Sequence, residues 1–286
     1  MNRDASGRLQ ARQQVCPEAV AGISRLHRIG LPACARRSAA LGVCSARTFA
    51  APGLSRAASR VIHMPLPVHA LAHRPLTAEA VAELLELPAA PLVPENFDAV
   101  DTVVQQRGWR WEHELVCESF RTAHGHVLCS DGMSPFGRPD ARTFLVFAEL
   151  YPVDPDDESM VDESWLLGLV DDWQRQPGWT GHRPCTDHDC ETVLAEAAQA
   201  VTAHLGTAPE RTVLSSAAVV TGPPLTHRIW RTATHALVLG PHADNGPYGL
   251  LTHLQLSCTP INCGPDLPPA GDEEALAGWI TAHVDW

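Results

Sequence analysis

The chain has 286 residues, 45% of them hydrophobic and 19% charged, with a formal net charge of −12. That is enough apolar material for one or two domains with a core, and it excludes a wholly disordered chain. Residues 1–60 hold ten arginines against Asp4 and Glu18, a formal +8, whereas residues 61–286 hold eleven arginines against 31 acids, a formal −20. A body this acidic repels phosphates and anionic lipid, so the expected partner is a basic protein, with no nucleic acid and no membrane.

Lysine is absent and all 21 basic residues are arginine, the mark of a GC-rich genome of actinobacterial type. Residues 1–63 lack apolar periodicity and read as a disordered basic arm, or as upstream sequence if translation starts at Met64. Arg36-Arg37 precedes only a short, weakly apolar run, too little for an export signal, and no stretch is long and apolar enough to span a bilayer. The expected location is the cytoplasm. The nine cysteines are then read as reduced, since a chain of this size needs no disulfides to hold a core.

Thr77 is placed to cap a helix through Val81, Leu84 and Leu85 that stops near Pro88. After a proline-punctuated linker, Phe97, Val100, Val103 and Val104 share one helical face ending at Gly108. From Trp109 the period becomes two. Trp109, Trp111, Leu115 and Cys117 are predicted inward, and Arg110, Glu112, Glu114 and Glu118 outward. A turn at His124-Gly125 leads to a strand over 126–129, Thr143 to Val153 reads as a central strand apolar on both faces, and Asp162 to Trp173 as a helix. The series then recurs: a helix through Leu194, Ala197, Ala198, Val201 and Leu205 ending at Gly206, strands near 212–220, 225–233, 235–240 and 250–261, and a helix opened by Asp272-Glu273.

Short identities follow the same order. Arg121-Thr122-Ala123 returns as Arg231-Thr232-Ala233, Val127-Leu128 as Val238-Leu239, Pro135-Phe136-Gly137 as Pro247-Tyr248-Gly249, and Asp162-Glu163-x-x-Leu166-x-Gly168 as Asp272-Glu273-x-x-Leu276-x-Gly278. Residues 64–180 and 181–286 are therefore expected to be two copies of one unit of helix, antiparallel strands and helix, an α+β fold with a pseudo-twofold axis. Gly168 and Gly278 are expected to face the sheet closely, because glycine weakens a helix interior.

Candidate chemistry is sparse. His182, Cys185, His188 and Cys190 have the side chains of a zinc site, but four ligands within nine residues of one connection suit a tetrahedral ion poorly, so no cofactor is expected and zinc is the one to test. His124-x-His126 with Asp131, and Pro247-x-Gly249 before His253, resembles the paired histidine motifs of cupin metal barrels. Asp stands where Glu belongs and the two segments lie in different repeats, so no metal enzyme is read from it. Arg121 and Arg231 could bind a carboxylate or phosphate, but anchoring each unit through an acid or a tryptophan is the simpler role. Trp109, Trp165, Trp173, Trp230 and Trp279 lie in periodic segments and are assigned to the core. Phosphate-binding loops, nucleophile elbows and His-Glu-x-x-His are absent. The expected function is non-enzymatic: an acidic protein-interaction module of immunity, chaperone or regulator type, monomeric or homodimeric, that binds a basic protein. The alternative is a small-molecule binder or enzyme with a site between the repeats, using His124, His126, His235 and His253 with Arg121 and Arg231.

Overall fold

A computed structural model of the chain describes residues 68–112, 119–152, 164–215, 224–243 and 252–284. Ten strands and five helices lie among the described residues. The strands are β1 (Val68–His73), β2 (Arg110–Glu112), β3 (Ser119–Arg121), β4 (Val127–Ser130), β5 (Thr143–Pro152), β6 (Thr180–His182), β7 (Arg211–Leu214), β8 (Thr226–Arg231), β9 (His235–Ala243) and β10 (Thr252–Pro260). The helices are α1 (Ala78–Glu86), α2 (Phe97–Gln106), α3 (Ser164–Gln174), α4 (Asp187–Leu205) and α5 (Glu273–Val284). All ten strands join one antiparallel sheet. The fold is α+β.

The sheet runs β2-β3-β4-β5-β10-β9-β8-β7, two four-stranded meanders joined by their last strands. β5 is longer than β4, which pairs with its first half; β1 takes the other half of that edge and carries β6. Neither β1 nor β6 is anticipated by the sequence reading. Both are short, and β1 draws its stability from pairing on both sides rather than from its own pattern.

Local signals place the helices. Thr77 accepts from the Ala80 amide and starts α1, and Asn96 accepts from the Ala99 amide and starts α2. Thr186 and Asp189 form a capping box at the start of α4, and Gly206, at φ +71°, ends it in the left-handed conformation that glycine adopts without strain. α4 therefore begins well before the apolar face read from Leu194. Asp272 accepts from the Ala275 amide at the start of α5, with Glu273 and Glu274 in its first turn, where carboxylates complement the helix dipole. Asp162 and Glu163 lie outside the described residues.

Helices cover both faces. α1, α2 and α4 bury Leu84, Val100, Val104, Leu194 and Val201 against Phe120, Leu128, Leu145, Trp230, Leu239 and Leu256. On the other face α3 lays Val170 and Trp173 over Val127, Phe144 and Val146, while α5 lays Leu276, Trp279 and Ile280 over Ile229, Ala236 and Val238. Trp109, Trp173, Trp230 and Trp279 are all buried, as read from their periodicity; the side chain of Trp165 lies outside the described residues. Each buried side chain of this size removes enough apolar area to be worth about 2–3 kcal/mol.

Three local expectations fail. Phe97, assigned to the inner face of α2, is 50% exposed: at the helix's first position it meets the Trp111 ring of edge strand β2 at 6.0 Å and leaves half its surface to solvent. Glu112, assigned to solvent, is 4% exposed, because its face of β2 meets Arg121 of the neighbouring strand. Gly168 and Gly278 face open space: a methyl group at either meets no atom within 4 Å. With no packing reason for glycine, Gly278→Ala is expected to stabilise the protein by about 1 kcal/mol and to raise Tm by about 2–4 °C. A lower melting temperature in calorimetry would reveal a contact at that position. Among the described residues no helix is long and apolar enough to cross a membrane.

Candidate functional site

The residues expected to form a histidine site do not meet. His124 is half exposed and 3.9 Å from Glu83, while His126 is fully buried with Nε2 on the Pro75 carbonyl at 3.0 Å. His235 opens β9 opposite Pro260, whereas His253 lies seven residues away along β10, about 23 Å at strand rise. Paired-histidine geometry of the cupin kind is thus absent from these positions, and the fold is an open sheet rather than a barrel. The segment Pro247 to Gly249 lies outside the described residues.

The two arginines have internal partners. Arg121 is buried and its Nε donates to Glu112 at 3.0 Å, Nη1 reaches the Gly125 carbonyl, and the guanidinium lies within 6 Å of both Trp173 and Trp179. Arg231 makes a two-pronged pair with Glu210 at 2.8 and 2.6 Å, half exposed, and this pairing holds the Glu210 carboxyl below its usual range. Each guanidinium is thereby engaged within its own unit, by an acid in both cases and by tryptophan in one.

His182, Cys185, His188 and Cys190 are split between elements that the sequence reading had merged into one loop. His182 ends β6 and its Nε2 is 2.9 Å from that of His73 on β1; His188 is exposed in the first turn of α4. Cys185 and Cys190 turn inward, with their sulfurs 3.8 Å apart. Among the described residues no group of three or more His, Cys, Asp or Glu side chains is placed to hold a metal ion. Elemental analysis of the reduced protein is expected to find no stoichiometric zinc. One zinc per chain, lost in Cys185→Ser, would reverse that expectation.

A different row of polar groups lies where the two meanders join. Glu149 on β5 stands opposite His253 on β10, which stands opposite His242 on β9. All three are at least 97% buried, and the two imidazole rings meet edge to face at 5.5 Å. His253 bonds Gln255, which donates to the Val284 carbonyl at the end of α5. His227 on β8 lies flat on Gly240, where a β-carbon would sit 2.2 Å from its ring, and bonds the Pro241 carbonyl. Burial and the neighbouring imidazoles His253 and His227 push the His242 pKa down to about 3, and burial pushes that of His227 down to about 4. A neutral imidazole such as that of His242 can accept a hydrogen bond from a donor. One signal of this row was legible: Glu149 is a lone charge in an otherwise apolar strand.

The second feature is a surface. Residues 75–106, spanning α1 and α2, contain six acids and no arginine. Glu79, Glu86 and Asp98 are exposed in this segment, as are the apolar side chains of Leu92 (72%) and Phe97 (50%). Fold and surface together define an α+β protein with a two-sided helical cover and an acidic, partly apolar helical face. Comparison with protein-family models, curated proteins and solved structures finds no match to this chain.

Proposed function

We propose that this protein is a non-enzymatic interaction module that binds a basic protein through the α1–α2 face, in the manner of an immunity protein, chaperone or regulator. The observation that carries the reading is charge left over after internal pairing. Arg121, Arg138, Arg142, Arg175, Arg228 and Arg231 are each held by a carboxylate of this chain. Within residues 75–106, Glu95 is taken by Arg138, while Glu79, Glu86 and Asp98 are exposed and make no salt bridge among the described residues. Leu92 and Phe97 supply the apolar contact that a charge-only surface lacks. The test is affinity purification from the source cells with wild type and with a Glu79→Lys, Glu86→Lys, Asp98→Lys triple variant. A stoichiometric basic partner, retained at low salt and lost in the variant, supports the reading; an acidic partner, or one indifferent to the variant, overturns it.

A second reading, a small-molecule site at the Glu149–His253–His242 row, rests on His242, whose two ring nitrogens have no hydrogen-bond partner among the described residues. Thermal-shift screening of small amines and diamines against wild type and His242→Phe tests it. A shift confined to wild type would move the function to this row.

We also infer that the meanders are copies of one ancestral unit. The support is in the registers. Arg121 faces Val127 and Arg231 faces Ala236, while the Thr122 and Thr232 amides bond the His126 and His235 carbonyls. On this alignment Val127 corresponds to Ala236, two residues before the Val238 matched by sequence identity: the second turn is one residue shorter than the first, whereas the identity match would need it one residue longer. Across the central pair, the contacts Thr143–Cys258 and Leu145–Leu256 exchange, and Phe144–Ser257 maps onto itself, at one offset of 113. Any antiparallel ladder has a local twofold of this kind; here it falls between the last strands of the two meanders, at the Phe144–Ser257 pair.

A further inference from the structure

α4 opens on two thiols. Thr186 is its cap, which makes Cys185 the residue before the cap and Cys190 the fourth residue of the helix. These are the positions of a hydrophobic staple, normally filled by two apolar side chains that fix how the chain enters the helix. Here both are cysteines, both buried, with sulfurs 3.8 Å apart and no covalent bond between them. The two sulfurs have to close by about 2 Å to reach the S–S distance of a disulfide.

We propose that Cys185 and Cys190 form a peroxide-oxidisable dithiol, which closes to a reversible disulfide across the cap of α4. The Cys185 thiolate attacks one oxygen of hydrogen peroxide and breaks the O–O bond. The products are a sulfenic acid at Cys185 and hydroxide, which is protonated to water. The Cys190 sulfur then attacks the sulfenic sulfur, loses its proton and expels the second oxygen as water. Two thiols and one peroxide become one disulfide and two waters, and a dithiol reductant of the thioredoxin class reverses the step.

The order of events follows from the environment. The Cys190 S–H can donate to the Cys185 sulfur, which holds the Cys185 thiol below its usual range and raises that of Cys190. Cys185 also sits at the positive end of a 19-residue helix, although Asp187 and Asp189 oppose part of that effect. Cys185 is thus the attacking sulfur and Cys190 the resolving one. Cys258 differs: burial in the sheet pushes its thiol up to about 12, which makes it inert. Cys263 is exposed, with its sulfur directed at the Asp140 carbonyl and the Asn262 amide oxygen, and serves as an internal control for peroxide exposure.

The experiment uses the full chain, reduced and freed of metal by a chelator, then treated with hydrogen peroxide, alkylated and digested with trypsin. The peptide from Gln176 to Arg211 contains Cys185 and Cys190 and no other cysteine, since Arg183 precedes proline and resists cleavage. The expected result is that this peptide becomes two hydrogens lighter and unreactive to alkylation, that a thioredoxin-type dithiol restores it, and that Tm rises by about 5 °C while it is oxidised. In Cys190→Ser, Cys185 should be captured by a sulfenic-acid reagent; in Cys185→Ser, residue 190 should stay reduced. Alkylation of both thiols after Cys263 has been oxidised would overturn the proposal. So would a disulfide from either thiol to any other cysteine.

Discussion

Lowering the pH from 7.5 to 5 is expected to cost this protein several kcal/mol of folding stability through three buried histidines. His126 and His227 each use Nε2–H on a backbone carbonyl, Pro75 and Pro241, which fixes the neutral tautomer and leaves Nδ1 without a partner. A second proton would bury an N–H with nothing to accept it, and His242 is worse placed, with both nitrogens unpartnered beside another imidazole. Burial lowers His126 and His227 to about 4 and His242 to about 3. In the unfolded chain all three return to about 6.5. The unfolded state thus binds protons first, so stability is whole above about pH 6.5 and declines as pH falls toward 4. At pH 5 each group costs about 2 kcal/mol, and three together approach the 5–15 kcal/mol that holds an ordinary domain. Denaturant titrations at pH 7.5, 6 and 5 measure this directly. A stability that stays flat to pH 5 would mean that these rings find acceptors or solvent, and His227→Phe should remove part of the slope if they do not.

Arg121→Ala and Arg231→Ala should differ several-fold, although the two residues occupy matching ends of β3 and β8. Removing Arg121 takes the guanidinium from Glu112, whose carboxylate is 96% buried, and from over the paired rings of Trp173 and Trp179; the expected loss is about 3–5 kcal/mol, or roughly 10 °C in Tm. Arg231 and Glu210 are each 37% exposed, so water screens the pair and replaces it; the expected loss is below about 1 kcal/mol. Replacing Arg121 and Glu112 together with methionine should recover most of the first loss, because no buried charge then remains. Equal losses at the two sites would show that burial does not control these pairs.

The same contrast explains what could be read from the chain alone. Helices α1, α2, α4 and α5 were legible because their information is local: an apolar face of period 3.6, a capping Thr, Asn or Asp, and a terminating glycine at 206. β4, β5, β9 and β10 were legible as apolar runs between turns, and Arg121 and Arg231 as anchors because an arginine inside an apolar scaffold needs an acid. Of the four residues weighed as zinc ligands, His182 ends β6, Cys185 lies between the elements, and His188 and Cys190 fall in the first turns of α4.

Tertiary structure alone decided the rest. Which strands join the meanders is set by the β5–β10 ladder, a pairing of residues more than 100 positions apart that leaves no trace in either strand's own pattern. β1 and β6 exist because the free half of β5 offers a hydrogen-bonding edge. Glu112 is buried because Arg121 reaches it diagonally from the adjacent strand β3, against the alternation that predicted solvent. His242 and Glu149 lie beside His253 because β9 and β5 flank β10, and no spacing along the chain encodes that. Periodicity reports which face of an element is apolar; only packing decides what that face meets, and so which polar groups are left inside the sheet.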